Sequence, residues 1–240
     1  TKTELYRFLE QNDGTIFINN ANPFLADQAK EVKNVGYTTS KTFDGLEGEI
    51  ISANPFLMFK VLFPKGWLYI KTNLVGGYNL ENTLAAATIG EYFGIDPTEI
   101  VSAIEGYQPD NNRSQMVLTK NNRLLMDAYN ANPSSTKAAL ENFDRIESAK
   151  KGVMLGDMLE LGTVSRDEHQ KIVDFLGTLK LDLVFLVGPH YSACNLPSTF
   201  QHFNHSEELA TFLRSANLSD YLLLIKGSRG MKLETIRPEL

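Results

Sequence analysis

Four tracts carry residue types that could handle a charged ligand, and each follows an apolar run of strand-like length. Leu124-Leu125-Met126 leads into Asp127-Ala128-Tyr129-Asn130-Ala131-Asn132-Pro133-Ser134-Ser135. An aspartate at a strand end can accept from both hydroxyls of a ribose, and asparagine amides supply donors and acceptors together. The same residues fit an Asx-turn, with Ser134 or Ser135 capping the next helix. Val153-Met154-Leu155 leads into Gly156-Asp157-Met158-Leu159-Glu160-Leu161-Gly162, whose two carboxylates could meet a cation or an ammonium group. Taken alone, that tract reads more simply as a glycine-bounded loop with solvated acids. Leu224-Ile225 gives way to Lys226-Gly227-Ser228-Arg229-Gly230-Met231-Lys232. Its glycines let the backbone approach a ligand, and Lys226 and Arg229 supply cations for a carboxylate or phosphate. A basic turn before a helix is the plainer alternative. The remaining tract, Gly188-Pro189-His190 after Phe185-Leu186-Val187, offers a single histidine. Such a residue is more often a satisfied turn or surface side chain than a catalyst, so His190 is assigned no role.

These tracts need a scaffold that brings strand ends together. From Gln108 onward apolar runs alternate with helical patterns: strands at Arg123–Met126, Gly152–Leu155, Leu183–Val187 and Tyr221–Ile225, helices at Ser134–Ile146, Arg166–Leu179 and Ser206–Ala216. A run as apolar as Leu222-Leu223-Leu224-Ile225 suits a parallel strand covered on both faces. The expectation is a doubly wound α/β domain with ligands beyond the carboxyl ends of its strands. Before Gln108-Pro109-Asp110-Asn111-Asn112, a polar stretch rich in turn formers, the pattern differs. An opening helix with Leu5, Phe8 and Leu9 on one face stops at Asn12-Asp13-Gly14, and Thr15–Ile18 reads as a buried strand that Asn22-Pro23 breaks. A hairpin turns at Pro64-Lys65-Gly66, a helix runs from about Asn79 to Phe93, and Asp96-Pro97 starts another that ends near Gly106.

With 240 residues, 42% hydrophobic, 22% charged and a formal net charge of −6, the chain is globular and large enough for two domains. Acids and bases are mixed, which argues against the basic stripe of a nucleic-acid binder. One cysteine, Cys194, excludes an internal disulfide and fits a reducing cytoplasm. There is no apolar run of membrane-spanning length. Neither G-x-x-x-x-G-K-[ST] nor G-x-G-x-x-G occurs, which weakens a dehydrogenase and rules out a complete P-loop enzyme.

The Asp127–Ser135, Leu155–Gly162 and Lys226–Arg229 tracts, preceded by Gly76-Gly77-Tyr78-Asn79-Leu80-Glu81-Asn82-Thr83-Leu84-Ala85-Ala86-Ala87, resemble the Mur ligases in identity and order. They are most similar to the branch that adds D-Ala-D-Ala, and the likeness covers most of the chain. It implies that residues 1–110 are the rear of a central P-loop-type ATPase domain and that 111–240 are a C-terminal Rossmann-like ligase domain. The P-loop and a UDP-sugar-binding domain would lie upstream of Thr1, so the isolated chain is expected to be inactive. The implied reaction joins D-Ala-D-Ala to UDP-N-acetylmuramoyl-tripeptide through an acyl phosphate, with ATP and Mg²⁺, in cytoplasmic peptidoglycan precursor synthesis by a monomer. By the same resemblance Asn79 and Asn82 meet the adenine, Arg113 faces the nucleotide, and Asp127 holds the ribose. Tyr129, Asn130 and Asn132 surround the nucleotide and reacting groups, Asn132 as a catalytic candidate. Asp157, Leu159, Lys226, Ser228 and Arg229 line the peptide-substrate side. Lys2 matches a lysine that becomes a carbamate and binds Mg²⁺, an oxygen ligand suited to a hard cation. Tyr78 stands where many members carry histidine. The rival reading is a non-catalytic α/β module that holds a nucleotide or peptide without turning it over.

Overall fold

The computed structural model describes residues 2–39 and 45–240, leaving aside the side chains of Lys2 and Thr3. The chain divides into two compact units, Thr1–Tyr107 and Gln108–Leu240, at the start of the polar stretch.

The first unit runs α1 (Lys2–Gln11), β1 (Ile16–Asn19), α2 (Pro23–Gln28), β2 (Asn34–Thr38), β3 (Leu46–Ala53), β4 (Phe56–Phe63), β5 (Gly66–Val75), α3 (Leu80–Tyr92) and α4 (Pro97–Gly106). Its sheet has the order β1-β2-β3-β4-β5, parallel up to β3 and antiparallel beyond. Leu57, Phe59, Val61 and Phe63 alternate inward along β4, the period of a half-buried strand. They meet Leu80, Leu84 and Ala87 of α3, spaced to fall on one helical face. Gly48 permits that approach, because a Cβ there would lie 2.6 Å from Leu84 Cδ2. Burial of such side chains stabilises by about 1.5–3 kcal/mol each. Asp96 caps α4 by accepting from the Thr98 N–H (2.9 Å), as its placement before Pro97 predicts. The opening helix forms, but Leu5 and Phe8 are exposed, while Tyr6 and Leu9 pack onto the cluster of Ile16 and Ile18. Asn22-Pro23 starts α2 as well as ending the strand: Asn22 Oδ1 accepts from the Leu25 N–H (3.2 Å) and Pro23 opens the first turn.

The second unit runs β6 (Gln115–Leu118), β7 (Arg123–Asp127), α5 (Pro133–Arg145), β8 (Lys151–Gly156), α6 (Ser165–Leu176), β9 (Leu183–Val187), α7 (Pro189–Ser192), β10 (Gln201–Phe203), α8 (Ser206–Ala216) and β11 (Leu222–Lys226). The sheet order is β10-β9-β8-β11-β7-β6, parallel except for β6. Leu223 and Ile225 of β11 share a core with Leu209 and Leu213 of α8, so the equally buried Leu222 and Leu224 face the other layer. That two-sided burial explains the unbroken apolar strands.

Connectivity marks where a ligand would enter. Strands β7 and β8 feed α5 and α6, which pack on each other. Between them β11 feeds 3₁₀ turns, the last of which (Leu233–Glu239) packs on α8. Neighbouring strands thus send the chain to opposite faces around β11. In open α/β sheets such switch points open the crevice in which ligands bind.

Candidate functional site

The carboxyl ends of β7, β11 and β8 bring together the Asp127, Lys226 and Asp157 tracts. Lys226 pairs in register with Asp127 across the two parallel strands. Its ammonium donates to Asp127 Oδ2 (2.7 Å) and to the Asn130 carbonyl (3.0 Å). The lysine side chain is 2% exposed and the aspartate 16%, so the cation is sealed and the carboxylate keeps one open side. A buried charge is tolerated here because each partner neutralises the other.

Ser228 ties the loops together. Its N–H donates to the Asp157 carbonyl (3.2 Å), its Oγ accepts from the Leu159 N–H (2.9 Å), and its hydroxyl reaches the Ala131 carbonyl (3.4 Å). One buried serine therefore holds the ends of all three strands at fixed spacing.

On the rim, Tyr129 lies within reach of two arginines. The Arg113 guanidinium carbon sits 3.7 Å from the ring centre and that of Arg229 sits 5.2 Å away, both within cation–π range. A hydrogen bond from Arg113, then the charges of both guanidiniums, hold the Tyr129 phenol below its ordinary range. Arg113, Arg229 and Asn130 are exposed. Two guanidinium forks on one rim suit a phosphate or carboxylate.

The helix after β7 is capped differently from the sequence-based alternative. Neither Ser134 nor Ser135 is the cap: Asn132 Oδ1 accepts from the Ser135 N–H (2.9 Å), and Ser135 Oγ accepts from the Asn132 N–H (3.2 Å). This reciprocal pair fixes the asparagine that the resemblance puts beside the reacting groups.

Asp157 is not the solvated acid of a glycine-bounded loop. It is fully buried, and its carboxylate accepts from the His190 N–H (3.0 Å) and the Tyr191 N–H (3.1 Å) at the start of α7. Gly188, at φ +120°, allows this, since a Cβ would fall 2.4 Å from the carboxyl carbon. His190 thus contributes its backbone to the site. Beside Asp157 lies His169, a fully buried residue of α6 that no tract singles out. The Met158 N–H donates to His169 Nε2 (3.0 Å), and Nδ1 lies 2.7 Å from the Ser165 carbonyl. The helical spacing Ser165, His169, Ile172, Val173, Leu176 is the signal that could have revealed it, a histidine on an apolar face. Leu159 and Glu160 remain exposed.

Other expected residues lie in the first unit. Asn79 is buried at the start of α3: its amide donates to the Val75 carbonyl (2.9 Å) and its Oδ1 accepts from Asn82 (3.2 Å). Asn82 and Tyr78 are exposed. The Lys2 side chain lies outside the described residues. Among the described residues no three His, Cys, Asp or Glu side chains converge to hold a metal, and no helix is long and apolar enough to cross a membrane.

An open, mostly parallel sheet with three loop ends gathered at its switch point defines the second unit as a doubly wound α/β domain. Comparison with known proteins narrows this. The description "Mur ligase, glutamate ligase domain" matches residues 112–229, and "Mur ligase middle domain" matches residues 1–90. The chain belongs to the Mur ligase family. It is 32% identical to the UDP-N-acetylmuramoyl-tripeptide--D-alanyl-D-alanine ligase of Bacillus subtilis over 70% of this chain and 38% of that one. With the ligase of that name from Buchnera aphidicola subsp. Baizongia pistaciae it shares 30% over its full length and 53% of the relative's. A solved UDP-N-acetylmuramoylalanyl-D-glutamyl-2,6-diaminopimelate--D-alanyl-D-alanyl ligase from Acinetobacter baumannii superposes with a TM-score of 0.83 at 26% identity, over all of this chain and 53% of that one. The chain spans about half the length of the last two.

Proposed function

We propose that the chain is the rear of the central domain and the C-terminal domain of a cytoplasmic ligase that joins D-Ala-D-Ala to UDP-N-acetylmuramoyl-tripeptide at the expense of ATP. The observation that carries this is the meeting of Asp127, Lys226, Ser228 and the Arg113–Tyr129–Arg229 rim at one switch point. In the reaction a tripeptide carboxylate oxygen bonds to the γ-phosphorus and ADP leaves. The dipeptide amine then attacks the acyl carbon, loses a proton, and phosphate departs with its oxygen. This chemistry asks the protein for positioning and charge neutralisation. The open side of Asp127 suits ribose hydroxyls, while Arg113 and Arg229 offset phosphate charge. Lys226 keeps Asp127 oriented through its hydrogen bond to Oδ2. Asn79 is the turned-in support of Asn82, which meets the adenine. Sealed in its loop, Asp157 acts through the backbone it fixes, so that Leu159 rather than the carboxylate faces the peptide. Mg²⁺, which binds through few carboxylates plus phosphate oxygens, would arrive with ATP and supply counter-charge.

Two measurements test the reading. Titrating ¹⁵N-labelled chain with ADP should shift the amides of Asp127–Asn132 and Lys226–Arg229. A spectrum unmoved at millimolar ADP would refute nucleotide binding here. Mixed with both peptide substrates, ATP and Mg²⁺, the chain alone should release no ADP, because its sequence holds no P-loop. Turnover would overturn the fragment reading.

A further inference from the structure

The loop after β8 is fixed from three directions. The short helix α7 seals Asp157 through two backbone N–H groups, and Ser228 clasps the loop from the β11 side. The third hold is the Met158 N–H donating to His169 Nε2 at 3.0 Å. An N–H can donate only to a bare ring nitrogen, so the ring proton must sit on Nδ1, which donates to the Ser165 carbonyl at 2.7 Å. Met158 is itself fully buried, and among the described residues its N–H finds its acceptor in His169 Nε2. An amide left there without a partner would bear the full desolvation penalty.

We infer that His169 is a positioning residue of the ligand site: its neutral Nδ1–H tautomer anchors the Asp157–Glu160 loop and, through Leu159 and Ser228, sets the spacing between the β8, β11 and β7 loop ends. The path is continuous, from His169 Nε2 to Met158 N–H, then one residue on to Leu159 N–H, Ser228 Oγ and the Ala131 carbonyl. Protonation of His169 would put a second N–H against that of Met158 and expel the loop.

The groups around the ring fix the pH at which this happens. From the β8 loop Asp157 Oδ1 lies 3.7 Å from Nε2 and favours the cation. From α7 the His190 ring lies 5.2 Å away and disfavours it, while the Tyr191 ring packs edge-on at 4.7 Å. On α6 the Ser165 carbonyl favours a protonated ring. Burial outweighs these and keeps the imidazole below the ordinary histidine range. The anchor is therefore intact at neutral pH and is lost only as pH falls through that lowered value.

The role of His169 as an anchor rests on hydrogen bonds alone; its bearing on ligands rests on the site reading above. Imidazole ¹⁵N shifts of the chain should show His169 as the neutral Nδ1–H form at pH 7, and an Nε2–H tautomer or a cation would overturn the proposal. In His169→Phe the Met158 and Leu159 amides should exchange about tenfold faster, the size of one hydrogen bond, with the β9 amides unchanged. In His169→Gln, whose carbonyl can accept from the same N–H, protection should return and lose its pH dependence below 7. Unchanged exchange in the Phe variant, or equal acceleration throughout the sheet in both variants, would reduce His169 to packing. ADP added to the same samples separates the two claims. No ADP shift with an intact His169 anchor counts against the site, whereas a normal ADP shift with no anchor counts against His169.

Discussion

Replacing Lys226 by Met tests whether the buried cation holds the site together. The methionine stem fills nearly the same volume, so the loss is confined to the ammonium and its bonds to Asp127 Oδ2 (2.7 Å) and the Asn130 carbonyl (3.0 Å). Breaking a buried pair from one side typically costs about 3–5 kcal/mol, because the remaining charge is stranded. Here Asp127 keeps 16% exposure and can recover some water, which lowers the expectation to about 2–3 kcal/mol. Asp127→Asn strands the more deeply buried partner, 2% exposed, and should cost at least as much. The double variant removes both charges and should cost less than the sum by about 1.5 kcal/mol or more. Hydrogen exchange of the central β8 and β11 amides reads opening of this unit directly, so the lysine variant should exchange roughly 30- to 150-fold faster. Fluorescence of Trp67, the single tryptophan, lies in the first unit and provides an internal reference. Exchange within threefold of the parent, or single effects that simply add, would refute the charge-pair argument.

Three further outcomes follow from the same geometry. Gly188→Ala forces a side chain into Asp157 at φ +120° and should lower stability by about 3 kcal/mol; an unchanged urea midpoint would show that α7 can move away freely. Among the nine tyrosines, Tyr129 should ionise early in an ultraviolet alkaline titration, because Arg113 and Arg229 favour its phenolate. Tyr129→Phe should delete that early component and Arg113→Ala should move it upward; a titration indifferent to both would remove the arginine pair from the argument. Asn132→Ala removes the reciprocal cap of α5 and should cost about 1 kcal/mol, with Asn132→Gly losing only a few tenths, as read by thermal unfolding; equal losses in both would deny the cap its role.

How far the sequence foretold this arrangement depended on whether a feature was local. Strands β8 and β11 were legible because both faces are covered and every residue is buried. The edge strands of the same sheet, β6 and β10, were not. Gln115–Leu118 and Gln201–Phe203 are short, mixed in polarity and covered on fewer sides, so neither period nor hydrophobicity marks them. The parallel strand Asn34–Thr38 was missed for a like reason, being only partly buried. Asn22-Pro23 read as a break because a proline at the first position of a six-residue helix looks the same as one that ends a strand.

The chemistry divides along the same line. Asp127 and Lys226 could each be picked out as a charge after an apolar run, but their pairing spans ninety-nine residues and follows only once β11 is inserted between β8 and β7. Asp157 looked like a solvated acid because its partners are backbone N–H groups thirty-three and thirty-four residues away, which carry no residue-type signature. His169 stayed hidden for the opposite reason: a polar residue on an apolar helix face is ordinarily assigned to the core. Yet the same contacts explain why these tracts can be so short. Ser228 holds three loop ends with one N–H and one hydroxyl, and Gly188 contributes by having no side chain at all. Arg229 and the open side of Asp127 are then left to face a ligand, because the geometry is maintained by backbone donors and by groups whose identity matters only where they lack bulk or accept a single hydrogen bond.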